Sequence, residues 1–244
     1  MPVHNEMDFL KYSLPSIFEL EPGEIIILLD RCTDDSKCTI KYISKKYKKE
    51  EITKLIEINE FSPEWNKRSA FLRRHGFSLS SNEIILNTDA DLILDTKIKN
   101  YISKLNDPQI GLIGFGFIDY PYNIQSLSKT IISKLTPFSG YAGLYAFNKS
   151  AWEETENIDS LKKVSRSEDT HLRLSIMKKY TTLHFNTKTL HLRPAESIER
   201  SYMRGVMYWE LLKYPLWKMI IYSILTFRPA ALKGYLHQKK KTNV

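Results

Sequence analysis

Apolar residues in this chain gather in short unbroken runs, and between the runs they recur at helical spacing. "EIIILL" (24–29) is apolar without interruption after its first residue, the pattern of a strand covered on both faces. "SKCTIKYISKKYKKE" (36–50) then reads as a helix with Ile40, Ile43 and Tyr47 on one side. "TKLIEI" (53–58) predicts a second strand. Residues 62–81 predict a second helix, with Ser62 as its cap and Pro63 in its first position. "EIILNT" (83–88) is a third strand. Strand and helix in alternation predict an α/β fold, a mostly parallel sheet with helices on both faces. Further along, 167–180 predicts a helix capped by Ser167, with Glu168 and Asp169 in its first turn and Leu172, Leu174 and Ile176 following as apolar residues.

Composition narrows the class. With 244 residues the chain can bury a substantial core, and 42% hydrophobic and 26% charged residues are ordinary for a folded protein. Cys32 and Cys38 are too few for a disulfide framework and lack the second pair of a zinc site, so a reducing, intracellular setting is expected. Residues 1–10 have neither a basic start nor an apolar stretch, so no secretory leader is expected. The net charge of +8 is local: Leu211 to Val244 holds seven Lys or Arg and no acid, whereas the first 210 residues carry 29 bases against 28 acids. A nucleic-acid groove needs bases spread over the domain surface, so no nucleic-acid partner is expected.

The candidate chemistry sits at strand ends. In open α/β sheets ligands bind beyond the carboxyl ends of the strands. The first strand runs into Asp30 and the third into Asp89 and Asp91, which puts three acids on one rim. Residues two apart on an extended backbone face the same way, and two like charges so close call for something positive beside them. Asp and Asn also end strands by bonding their own backbone, so "LNTDADLIL" (86–94) alone leaves a turn and a metal site open. Three acids together on the ligand edge are better explained by a cation and a polar ligand. Glu168 and Asp169 have a plain structural reading too, because acids are favoured at helix N-termini.

Five segments, in order, resemble the GT-A glycosyltransferases of the large inverting group usually called family two. They are "PVHNE" (2–6), "LLDRCTDDS" (28–36) with Asp30 at the second acid, "RRHG" (73–76), "TDADLIL" (88–94) as the Asp-x-Asp motif, and "SEDTHLRL" (167–174) as the Glu-Asp motif. The resemblance spans residues 1 to about 195, and the domain it implies is 1–205, followed by a basic apolar helical tail at 206–244. It implies a metal-dependent inverting transfer of a hexosyl or N-acetylhexosaminyl group from a UDP- or GDP-linked donor to a glycan, lipid or lipid phosphate, on the cytoplasmic side. Under it, Asp30 accepts hydrogen bonds from the nucleotide base beside Pro2, Val3, Asn5 and Glu6. Arg73 and Asp89 also serve the donor. Asp91, helped by Asp89, holds Mg²⁺ or Mn²⁺, which prefer oxygen ligands. Asp169, next to Glu168, takes the acceptor proton. Some GT-A enzymes add a histidine to the metal, and His191 in "LHLRP" (190–194) stands in that place, although a lone histidine is more often structural. Arg193 beside it suits a phosphate.

The chain departs from the family in two respects. The family carries an apolar strand before its Pro-Val segment, and here Met1 directly precedes it; Arg31 and Cys32 stand where the family has a small Gly-Ser pair. In 137–155 the small residues Gly140, Ala142 and Gly143 fall where the family shapes its sugar pocket, without naming a sugar. A nucleotidyltransferase also joins an α/β sheet to paired acids, but it needs a Gly-rich basic loop that "PVHNE" lacks. A non-catalytic binding module of the same fold is opposed by the intact Asp30, Asp89, Asp91 and Asp169.

The tail, 211–241, mixes Tyr214, Trp217, Tyr222 and Phe227 with aliphatic and basic residues. Its longest uncharged run, Met219 to Phe227, has nine residues, short of the ~20 a spanning helix needs. Peripheral membrane contact and packing of the apolar side on the domain are the two expectations it raises.

Overall fold

The computed structural model describes residues 1–120, 143–164, 168–193, 197–210 and 213–242. They fall into two compact units, one holding residues 1–117, 143–164 and 168–192, the other 118–120, 193, 197–210 and 213–242. The first unit carries every sequence motif except the tail.

Its first sheet is parallel, in the order β1 (Pro2–Val3), β2 (Ile25–Asp30), β3 (Thr53–Ile58), with Val3 opposite Leu29 and Asp30 opposite Ile58. The unbroken apolar run of β2 has its explanation here: five of its six residues are buried, so both faces are covered. Helix α1 (Met7–Phe18) presents Leu10, Leu14, Ile17 and Phe18 to the same core, an i, i+4, i+7, i+8 stripe that the reading above had not turned into a helix. Helix α2 (Ser36–Lys46) buries Ile40 and Ile43 as expected. Tyr47, expected on the same side, is instead the C-terminal capping residue and 43% exposed.

The second sheet runs in the order β4 (Ile84–Asn87), β7 (Tyr145–Asn148), β6 (Ile110–Asp119), β8 (Thr181–His191), β5 (Leu92–Ile93), and its pairs β4–β7, β6–β7 and β5–β8 are antiparallel. The chain is therefore α/β with a parallel first sheet, as expected, while the later strands fold back on one another. β1 and β4 are the edge strands of their sheets. An apolar cleft of about 500 Å³, lined by Ile25, Ile26 and Leu28 on one side and Ile84 and Leu86 on the other, lies beside both.

Helix α3 (Arg68–Leu79) is shorter than the 62–81 predicted from Ser62 and Pro63. Residues 62–67 are drawn off by tertiary contacts: Trp65 packs with Ala70 and Leu161, and Asn66 N–H donates to the Lys162 carbonyl at 2.8 Å. After α4 (Ile98–Ile102) and a 3-10 turn at Ser103–Asn106 come α5 (Lys149–Thr155), α6 (Ile158–Lys162) and α7 (Glu168–Ile176). Phe77 of α3, Tyr145 and Phe147 of β7, Trp152 of α5, and Leu172 and Ile176 of α7 form one buried cluster. Its rings meet edge to face, with Phe77 4.8 Å from Phe147 and 5.5 Å from Trp152. Such pairs add ~0.5–1.5 kcal/mol each beyond area burial; they join α3 to β7 and α5, and Leu172 and Ile176 bring α7 into the same cluster.

The second unit contributes α8 (Ile198–Glu210), α9 (Leu216–Leu225) and α10 (Pro229–Thr242). α8 and α10 meet backbone to backbone. A Cβ at Gly205 would stand 1.7 Å from the Ala231 carbonyl oxygen and one at Gly234 2.0 Å from that of Tyr202, so a larger residue at either position forces the helices apart. Among the described residues, no helix is long and apolar enough to cross a membrane.

Candidate active site

Two loops at the carboxyl ends of β1 and β2 are tied to one another. The His4 ring nitrogen lies 2.6 Å from the Asp30 carbonyl oxygen, Thr33 N–H donates to Asn5 Oδ1 at 2.8 Å, and Asn5 Nδ2 donates to Thr33 Oγ1 at 3.1 Å. Met7 N–H reaches Asp34 Oδ2 at 3.1 Å and Glu6 N–H reaches Ser36 Oγ at 2.9 Å. Asn5 and Arg31 both take positive φ, 54° and 47°, a strained backbone for residues other than glycine and frequent at functional sites. Val3 lies in the core at 1% exposure, and Glu6 is buried.

Asp30, the last residue of β2, is buried. Its Oδ1 accepts from Arg31 Nε at 3.0 Å and from Arg68 Nε at 2.5 Å. Burial by itself would raise its pKa; the hydrogen bonds and charges of Arg68 and Arg31 outweigh that and hold the carboxyl below its usual range.

The Asp-x-Asp pair straddles a turn, because β4 ends at Asn87 and β5 begins at Leu92. The same-face expectation for an extended backbone therefore does not apply, and the two carboxylates take different partners. Asp89 Oδ1 accepts from Arg73 Nη2 at 2.7 Å. Asp91 is buried, with Oδ2 3.2 Å from His191 Nε2. The register of β5 on β8 causes that meeting, since Leu92 pairs with His191 and Leu192 N–H donates to the Asp91 carbonyl at 2.8 Å. Gly143 closes on the pair from β7's side: at φ +82° it lies so near that a Cβ would stand 2.4 Å from Asp89 Oδ2. Asn87 Nδ2 fixes it by donating to the Gly143 carbonyl at 2.8 Å.

Glu168 and Asp169 open α7 and have opposite surroundings. Glu168 is 2% exposed and is bonded by Arg73 Nη1 at 2.5 Å, by Lys67, and by Ser69 Oγ at 3.2 Å. Burial would raise its pKa, but the charges of Arg73 and Lys67 reverse this and bring it down to about 2. Among the described residues, Asp169 is bonded by its neighbour's backbone, Thr170 N–H donating to Oδ1 at 2.8 Å. Burial first, then the Glu168 charge, push its pKa up. Arg74 anchors the arrangement from below, forking onto Glu156 at 2.9 and 2.5 Å and donating to the Glu168 carbonyl at 3.0 Å.

Arg73 thus links Asp89 to Glu168, and Arg68 from the same helix holds Asp30. Of the basic residues at 67–74, the family resemblance gives a donor role to Arg73. Lys67, Arg68 and Arg74 carried a legible signal, since 67–79 holds four Lys or Arg and no acid, so their carboxylates had to come from elsewhere. Asp89 and Asp91 supply carboxylate oxygens of the kind that suit Mg²⁺ or Mn²⁺, and His191 adds an imidazole nitrogen beside Asp91. Ligands about 2.1 Å from one cation at right angles stand about 3 Å apart, so the Asp91–His191 spacing of 3.2 Å fits two of them. Among the described residues, no three His, Cys, Asp or Glu side chains gather around one point. The expected cap Ser167 and the small residues Gly140 and Ala142 lie outside the described residues, as do Pro194, Leu211 and Leu212.

Residues 1–189 match the family model described as Glycosyl transferase family 2. No curated protein matches the sequence. Among solved structures, S. aureus TarS 1-349 aligns at 12% identity with a TM-score of 0.54, covering 86% of this chain and 64% of that one. The same TarS fragment in complex with UDP aligns at 11% and 0.53. Glucosyl-3-phosphoglycerate synthase from Mycobacterium tuberculosis, in complex with Mn²⁺, UDP-glucose and glycerol 3-phosphate, aligns at 14% and 0.54, covering 86% and 75%. The chain spans under two thirds of the length of the TarS fragment. Likeness at these identities is likeness of fold, and the fold is that of GT-A glycosyltransferases.

Proposed function

The chain belongs to glycosyl transferase family 2, and on that footing we propose that it is a metal-dependent inverting glycosyltransferase acting on a nucleotide-diphosphate sugar. The observation that carries the reading is the Arg73 fork: one guanidinium joins Asp89 of the Asp-x-Asp motif to Glu168 of the Glu-Asp motif. Donor-side and acceptor-side acids are thereby set at a fixed spacing before any substrate arrives.

Asp91 and His191 would hold Mg²⁺ or Mn²⁺, with Asp89 beside them and the donor's phosphates completing the shell. When bound, the cation neutralises charge on the departing nucleoside diphosphate. The Mn²⁺ and UDP-glucose of the mycobacterial synthase complex agree with such a pairing. Asp30 would receive a base N–H at Oδ2, since Arg31 and Arg68 both occupy Oδ1. Glu168 is held ionised by Lys67 and Arg73 and takes no proton; it positions Asp169 and raises its basicity. Asp169 takes the proton of an acceptor hydroxyl while that oxygen bonds the anomeric carbon from the face opposite the leaving group. The bond from the anomeric carbon to the phosphate oxygen breaks, the nucleoside diphosphate departs, and the configuration inverts. The nucleotide is UDP or GDP, the transferred group a hexosyl or N-acetylhexosaminyl unit, and the acceptor a glycan, a lipid or a lipid phosphate met at the cytoplasmic face of a membrane.

A thermal-shift screen of UDP- and GDP-sugars with and without Mn²⁺ selects the donor, and product analysis by NMR then tests the reaction. The expected outcome is nucleoside diphosphate with a product of inverted anomeric configuration. Release of pyrophosphate would make the chain a nucleotidyltransferase, and retained configuration would remove Asp169 as base.

A further inference from the structure

We propose that α9 docks on an anionic lipid surface, laying an apolar stripe into the headgroup region. Helices of globular proteins ordinarily turn their apolar stripe inward. Here Met219 and Ser223 face inward, Met219 packing with Ala231 and Tyr235 of α10. Trp217, Ile220, Ile221, Ile224 and Leu225, at the i, i+3, i+4, i+7, i+8 spacing of a single stripe, all face solvent, with Ile224 67% and Trp217 59% exposed. A continuous apolar patch of that kind marks an interaction surface.

The charge around it selects the occupant. From Lys213 to Thr242 there are seven Lys or Arg and no Asp or Glu. Lys218 flanks the stripe, its Nζ 5.5 Å from the Trp217 ring and 6.0 Å from that of Tyr214. An amphipathic helix edged by an aromatic and by a lysine that can snorkel to phosphate, in a segment rich in bases and free of acids, is the composition of an interfacial helix. A second copy of the chain fits poorly, because a two-fold interface lays the patch on itself and sets cations against cations. A nucleic-acid backbone would neutralise the lysines and leave the isoleucines in water. The helix lies in the interface and does not cross it, since ten residues extend roughly 15 Å against a hydrocarbon core of about 30 Å.

The test is sedimentation of the full chain with phosphatidylcholine vesicles, with and without phosphatidylglycerol, beside the variant Ile221→Asp/Ile224→Asp. Both positions are exposed, so the variant keeps its fold, which its thermal midpoint checks. The full chain is expected to sediment with the anionic vesicles, less with neutral ones and less as salt rises. Burying one such side chain is worth roughly ten- to a hundredfold in partition, so the double variant should lose at least tenfold. A full chain that stays in the supernatant with anionic vesicles at low salt overturns the proposal, and so does a variant that binds as tightly as wild type. A dimer without lipid that the variant splits would overturn it in favour of self-association. The assay uses no sugar donor, so its outcome is independent of the catalytic reading.

Discussion

Asp169 stands where a helix field favours ionisation, yet its pKa moves the other way because burial and the adjacent Glu168 charge prevail. For a base this is useful: a carboxylate with a raised pKa binds the acceptor proton more tightly in the transition state. Since the ionised form is the active one, kcat/KM should rise with pH along a limb centred above the ordinary aspartate value. The folded protein also holds this proton more tightly than the unfolded chain, so the Asp169 contribution to stability declines as pH rises from the ordinary value to the raised one. Asp169→Asn should abolish the limb and cost ~10²–10⁴-fold with a hydroxyl acceptor. With a lipid phosphate, already ionised near neutrality, the same change should be mild. A pH–rate series on both proteins with a verified hydroxyl acceptor decides this, and an unchanged acidic limb in the variant would exclude Asp169. The residue was legible in the sequence as half of an acidic pair, and the family resemblance implied its role as base; the contrast with Glu168 was not legible. Only the structure separates a Glu168 clamped by cations from an Asp169 left with a backbone partner.

At the scale of elements, the site depends on α3 gripping the first turn of α7. Arg73, Lys67 and Ser69 reach the Glu168 carboxylate, Arg74 reaches its carbonyl, and the Phe77–Trp152–Leu172 cluster holds the two helices together. Glu168→Gln would remove the counter-charge of the largely enclosed Arg73, and breaking a buried pair typically costs ~3–5 kcal/mol; the half-buried Lys67 adds less. Because the native carboxyl titrates at about 2, its stabilisation is complete above its ordinary value near 4.5 and is lost as pH falls between the two. Urea unfolding of wild type and variant should therefore show a large gap at pH 7 that narrows toward pH 3; a gap independent of pH would mean that the tie is not electrostatic. Elements with strong local patterns were readable: β2 as an unbroken apolar run, α2 by Ile40 and Ile43. The boundary of α3 was not, because Trp65 and Asn66 are claimed by Leu161 and Lys162, about a hundred residues away. The antiparallel return of β7 onto β4 was equally hidden, since pairing partners sixty residues apart leave no local signature.

For the whole molecule, the separation of charge was plain in the sequence and carries through the structure. A near-neutral first unit holds the strand-end acids, and the basic residues gather on the helices of the second. Five motifs scattered over about 170 residues identified the fold: four sit at a strand end or helix start, where the backbone geometry of the family constrains the residue type, and "RRHG" lies within α3, where Arg73 reaches the acids of two of the others. The resemblance implied that Asp91 and His191 share a metal, but the register of β5 against β8 that brings them together left no local signature. The reading stands on these two residues and Asp89 serving a ligand rather than the core. Nucleoside diphosphate release from the selected donor, measured for wild type and Asp91→Ala with Mn²⁺ and with excess chelator, tests it most directly. Turnover by wild type that the chelator abolishes, and no turnover by a variant that keeps its thermal midpoint, is the predicted result; Asp91→Ala turning over at the wild-type rate in chelator would contradict it.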